Sequence, residues 1–110
     1  MKLPNGGRAH LGTKLEEYSL NPIHLEGRHK AHVFSSVLGI TLDEIETLRA
    51  AVLAAGRISE NAMARGHNSF GDVYVLRFPI TTTRGTATVL TAWIIRDGED
   101  FPRLTTCYII

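Results

Sequence analysis

The sequence predicts an α+β domain, with two or three N-terminal helices packed on one face of a C-terminal antiparallel sheet of three to four strands. Three observations carry that prediction. Helix start and stop signals are confined to residues 13–56; every run after residue 72 is rich in Val, Ile, Thr and aromatics; and the links between those runs are short enough for hairpins. Helices first and strands last is the pattern of segregated layers.

The elements follow in order. Residues 1–12 are Gly-rich and polar and predict an extended lead-in, with Arg8–Leu11 as a candidate edge strand. Thr13-Lys14-Leu15-Glu16 fits a capping box, so a short helix is expected from Lys14 to about Leu20. Asn21-Pro22 ends it, because a residue before proline is pushed out of the α region. A second helix is expected from Arg28 to Leu38, closed by Gly39. Thr41-Leu42-Asp43-Glu44 is another capping box, starting a third helix that carries Ile45, Leu48 and Val52 inward and ends at Gly56. Residues 57–71 lack a sustained period and read as a crossing loop. Strands are then expected over Asp72–Ile80, Thr86–Arg96 and Arg103–Ile110.

Pairing Arg96 with Arg103 across the last hairpin puts Leu90, Ala92, Ile94, Thr105, Cys107 and Ile109 on the helix side. The other face then carries Thr91, Trp93, Leu104, Thr106 and Tyr108, a mixture of rings and hydroxyls suited to binding. A one-residue change of register would exchange the two faces.

With 110 residues and 44% hydrophobic content, residues 1–110 read as one domain with one core. Twelve basic against eleven acidic residues exclude a polybasic scaffold and leave room for a local cationic pocket. The single cysteine, Cys107, lies in an apolar run and reads as a buried, inert thiol, which fits a reducing, cytoplasmic setting. The N-terminal residues contain no apolar signal-peptide core, and no window approaches the ~18 apolar residues of a membrane span. The expectation is a chain without a signal peptide or a membrane partner. No cofactor motif is present.

The most informative stretch is Asn21–Phe34, a turn feeding a helix whose first residues are Arg28, His29 and Lys30. Cations there oppose the helix dipole, which favours carboxylates at that end. Side-chain cations and free backbone N–H groups at a helix start can instead converge on an anion such as phosphate. At about 100° per residue, Val33, Phe34, Val37 and Leu38 form the apolar face and Lys30 falls near its middle, leaning inward. His32 points nearly the opposite way and His29 lies on the flank. His24, His29 and His32 have no accompanying carboxylate cluster, so no metal site is expected.

Leu20-Asn21-Pro22 with His24, Gly27-Arg28-His29-Lys30-Ala31, Val33-Phe34, Leu38-Gly39, Ala92-Trp93-Ile94-Ile95, Gly98 to Leu104 and Cys107-Tyr108 together resemble a family of small bacterial domains of unknown function. Its members occur alone and as C-terminal modules of secreted polymorphic toxins. The element order is similar to the superfold of barnase, colicin D and RelE-type ribonucleases. That resemblance implies a metal-independent endoribonuclease acting on RNA, with tRNA a candidate, and held in check by an antitoxin or immunity protein. It implies His29, Lys30, Arg103, Thr106 and Tyr108 as the catalytic set, with Arg28, His24 and Trp93 contacting phosphate or base. His29 would serve as acid or base, Lys30, Arg28 and Arg103 would hold the phosphate, and Trp93 would stack a base. The competing expectations are a non-catalytic module that holds an anion or nucleic acid, and an interaction protein such as the neutralising partner itself. Asp97, Glu99 and Asp100 are expected to be solvated turn residues, and the oligomeric state is open.

Overall fold

A computed structural model describes residues 1–110 and has the expected α+β architecture: helices first, then a four-stranded antiparallel sheet. The helical layer comprises a π-helical turn Leu15–Ser19, helix α1 (Arg28–Val33) running into a second π-helical turn Phe34–Leu38, and helix α2 (Ile45–Ile58) after a 3-10 turn Leu42–Glu44. The sheet is a meander of β1 (Met63–His67), β2 (Gly71–Thr81), β3 (Thr86–Arg96) and β4 (Arg103–Ile109), in that spatial order.

Local chemistry accounts for these boundaries. Gly39 closes the α1 segment in the left-handed region at φ 68°, and the N–H groups of Gly39 and Ile40 bond back to Ser35 and Phe34. Thr41 caps this turn, its Oγ1 accepting from Asp43 N at 3.3 Å and donating to Glu44 Oε2 at 2.8 Å, so Glu44 takes the hydroxyl where the expected capping box has it take the Thr41 N–H. Leu48, Val52 and Gly56, four residues apart, make the buried stripe of α2. These side chains meet Phe34 and Leu38 from the α1 segment, and Leu76, Val89, Trp93, Leu104 and Cys107 from the sheet, in one core.

Several expectations are corrected. The expected short helix is present from Lys14 to Ser19, but it winds as a π-helical turn and its Thr13 capping box does not form, because Glu16 turns to Arg49 on α2 (3.0 Å). Gly56 does not end α2, which continues two residues to Ile58. The Arg8–Leu11 edge strand reduces to a single parallel bridge from His10 to Arg103 after a 3-10 turn at Gly6–Arg8. The crossing loop contains a strand, β1, whose residues are all exposed. Its backbone pairs with β2 without burying either face, so it carries no apolar alternation to read.

The largest correction is register. Arg103 pairs with Ile94, not Arg96, and the ladder slips by one residue between Ala92 and Trp93. Thr105 is the extra residue of that β-bulge. Trp93 and Cys107 therefore share the helix-facing side, together with Val89, Thr91 and Leu104, all buried. Leu90, Ala92 and Ile94 occupy the opposite face, against Arg77, Val75 and Val73. Cys107 is fully buried as expected, and desolvation pushes its thiol up to about 12, which holds it protonated and unreactive.

Polar order inside the core centres on Thr91. Its hydroxyl donates to the Leu76 carbonyl at 3.1 Å and accepts the Trp93 indole N–H at 2.9 Å. Thr91→Val keeps the shape but strands the indole N–H, and should lower stability in urea denaturation by about 1–3 kcal/mol, the usual cost of an unpaired buried donor.

Candidate functional site

The turn that feeds α1 is built from side chains that bond their own backbone. Asn21 Oδ1 accepts from Ile23 N at 3.0 Å, and His24 Nδ1 accepts from Glu26 N at 3.1 Å and Gly27 N at 3.0 Å. His24 thus acts as a cap, using a ring nitrogen where a Ser or Asp oxygen commonly serves. Its ring also packs against Tyr18, with centroids 4.4 Å apart. Gly27 is required by the same packing, since a Cβ there would collide with the Tyr18 carbonyl. The turn is thereby fixed to the π-helical segment before α1 begins.

Arg28, His29 and Lys30 leave that fixed start in three directions. Lys30 leans inward, as the helical phase predicts, and is half-buried. Its ammonium donates to Thr106 Oγ1 on β4 at 3.1 Å and lies 5.3 Å from the centre of the Tyr108 ring, within cation–π range. Arg28 turns the other way and lines a separate cleft of about 400 Å³ with His32, Ser35 and Asp43. His29 is exposed and makes no hydrogen bond.

Lys30 belongs to a polar cleft of about 340 Å³ enclosed by Lys14, Tyr18, Glu26, Thr105 and Thr106. The Lys14 ammonium sits 4.8 Å from the Tyr18 ring centre. The β4 bulge supplies the two adjacent threonines: Thr105 Oγ1 is tied to the Ala92 carbonyl at 3.1 Å, while Thr106 Oγ1 receives Lys30. Neither lysine is in an ion pair, whereas Arg8, Arg49 and Arg103 are all held by carboxylates. One opening thus gathers two ammonium groups outside any ion pair, two threonine hydroxyls and a phenol, donors that an oxyanion can accept from, with the Glu26 carboxylate beside them.

The structure unites Lys30, Thr106 and Tyr108 and leaves the other candidates apart. Arg103 is spent on Glu99, by Nε to Oε1 at 2.9 Å and Nη2 to Oε2 at 2.8 Å, and stacks 4.9 Å from the Phe101 ring centre. That guanidinium holds the Glu99 carboxyl below its ordinary range. Trp93 is completely buried, so it cannot stack on a base, and His24 works through backbone capping. Asp97 and Asp100 are exposed turn residues, as expected, Asp100 pairing with Arg8 at 3.0 Å and Asp97 facing His67, whereas Glu99 is partly covered by its pair with Arg103. Lys14, Tyr18 and Glu26 were not legible as site residues, because tertiary packing of Gly27 and His24 on Tyr18 brings their segments together. No group of three or more His, Cys, Asp or Glu side chains is arranged to hold a metal ion, and no helix is long and apolar enough to cross a membrane.

His67 has a structural task that its loop-like sequence hid. Its Nδ1 lies 2.9 Å from Asp72 Oδ1 and its Nε2 3.6 Å from Asp97 Oδ1, so it ties β1 to β2 and to the last hairpin. The Asp72 hydrogen bond, with both carboxylate charges, raises the imidazole above its ordinary value. Its stabilising contribution is therefore full below the unfolded value of about 6.5 and lost as pH climbs through the raised folded value. NMR titration should find His67 above the ordinary imidazole value, and Asp72→Asn should bring it down.

Gly27→Ala tests the scaffold of the cleft. The added methyl must push the α1 start off Tyr18, so unfolding by urea should show a loss of about 1–3 kcal/mol, the range for an overpacked site.

No curated protein matches the chain. A family model does, from residue 2 to residue 110, and on that match the chain belongs to the family described as a domain of unknown function, DUF6883.

Proposed function

We propose that the protein is a metal-independent endoribonuclease that holds the scissile phosphate of RNA in the Lys14–Lys30 cleft. The observation that carries this reading is the Lys30 ammonium, 3.1 Å from Thr106 Oγ1 and over the Tyr108 ring, in a polar cleft with a second unpaired lysine. Cleavage of RNA by its own 2′-hydroxyl accumulates negative charge on the phosphate oxygens. Preorganised ammonium and hydroxyl donors stabilise that charge more than they stabilise the ground state. The order of helices followed by an antiparallel meander is consistent with the ribonuclease superfold that the sequence resembles, and supports the reading as analogy. Its action would be on RNA in the cytoplasm, with a cognate antitoxin or immunity protein as the neutralising partner.

A second reading, a non-catalytic module that holds RNA by its phosphates, is favoured by one observation. His29, the histidine that the sequence offers as acid or base, is exposed and is not among the cleft's lining residues.

One experiment separates the two. Purified protein incubated with RNA in EDTA should cut it, and expression of the wild type alone should be toxic. Lys30→Ala should lower the cleavage rate by about 10²–10³-fold, the scale for removing one donor from an oxyanion site. His29→Ala should change it only a few-fold. Circular dichroism melts should show both variants folded. RNA that is bound with a steep salt dependence but left intact would replace the enzyme with the binding module.

A further inference from the structure

We propose that Glu26 is the general base of the cleft, a role that rests on the ribonuclease reading above. Attack by the 2′-hydroxyl requires an acceptor for its proton within hydrogen-bond reach. The charged and titratable groups bordering the opening are Lys14 and Tyr18 from the π-helical turn, Glu26 from the α1 turn and Lys30 from α1, with Tyr108 behind Lys30; the bulge of β4 adds only threonine hydroxyls. Among the lining residues Glu26 alone carries a carboxylate, and an ionised carboxylate is an acceptor only, whereas an ammonium group has no lone pair to offer.

Two further features suit Glu26 to the task. Its backbone is held where the turn is most constrained, by the N–H bond to His24 Nδ1 at 3.1 Å and by the packing of Gly27 on Tyr18. Its side chain is exposed and unbonded, in contrast to Glu16, Glu46 and Glu99, each of which is taken by an arginine. Lys14 and Lys30 share its cleft without forming an ion pair with it, which leaves its oxygens free.

The step balances without a metal or a redox partner. A Glu26 oxygen takes the 2′-OH proton, O2′ forms its bond to phosphorus, and the bond from phosphorus to O5′ breaks. O5′ takes a proton from water in the open cleft, and the hydroxide so formed recovers the proton from Glu26. The products are a 2′,3′-cyclic phosphate and a 5′-hydroxyl end. His24 is a positioning residue for this base, through the turn it caps.

The test compares wild type, Glu26→Gln and Glu26→Asp on an RNA oligonucleotide in EDTA from about pH 4 to 8, spanning the ordinary carboxylate range. It also uses the same oligonucleotide carrying one 2′-deoxy sugar at the cleaved position. Glu26→Gln should lose about 10²-fold or more in kcat, the scale for losing a positioned base, with its RNA Kd within a few-fold of wild type. The acid limb of the kcat/KM profile should disappear with it, and Glu26→Asp should recover part of the rate and the limb. The 2′-deoxy oligonucleotide should bind and stay intact. Glu26→Gln cutting at the wild-type rate with the acid limb unchanged would overturn the assignment of the base and leave the ribonuclease standing. Wild type that binds RNA and leaves it whole would overturn the ribonuclease and the base together.

Discussion

One extra residue in β4 determines both faces of the sheet. Without the slip between Ala92 and Trp93, Cys107 would face away from Trp93 and the threonines would alternate across the strand. With it, Cys107 joins Trp93 under the helices, and Thr105 and Thr106 stand side by side at the rim that Lys30 reaches. A bulge leaves the ladder locally unpaired. Here the Thr105 hydroxyl returns a bond to the Ala92 carbonyl, so part of that loss is recovered within the sheet.

The fold was legible wherever burial imposes a period. Leu48 and Val52 mark the inner stripe of α2, Thr41 its start, and Val33, Phe34 and Leu38 phase α1 well enough to send Lys30 inward. Where burial imposes nothing, the sequence was silent: Met63–His67 is exposed throughout and reads as loop. The bulge was illegible for a different reason, since β4 is apolar and polar in nearly equal measure on both sides and admits two registers. Of the candidate site, the half contributed by α1 was readable from helical geometry. The half contributed by Lys14, Tyr18 and Glu26 depends on Gly27 and His24 packing against Tyr18, a tertiary contact with no local period.

Three arginines and the two cleft lysines have contrasting surroundings. Arg8, Arg49 and Arg103 act as fasteners, joining the lead-in to the hairpin, the π-helical turn to α2, and the hairpin to itself. Their planar forks suit fixed carboxylates. Lys14 and Lys30 instead rest against aromatic rings with their heads accessible from the cleft. These arginines take four carboxylates, Glu16, Glu46, Glu99 and Asp100, and leave both cleft lysines outside any ion pair, in a protein whose net charge is only +1.

The two borders of the sheet face crowding differently. At β4 the backbone is occupied by His10 and by the Ser19 hydroxyl on the Cys107 carbonyl, so little of it is open to a foreign strand. At β1 it is open, but the pairing register shifts between Ala64 and His67, Gly66 sits at φ 90°, and Arg65 and His67 are exposed. A strand that is short, kinked and cationic is a poor template for edge-to-edge growth. The same irregularity gives a sheet with an uncovered border an edge on which another strand pairs poorly.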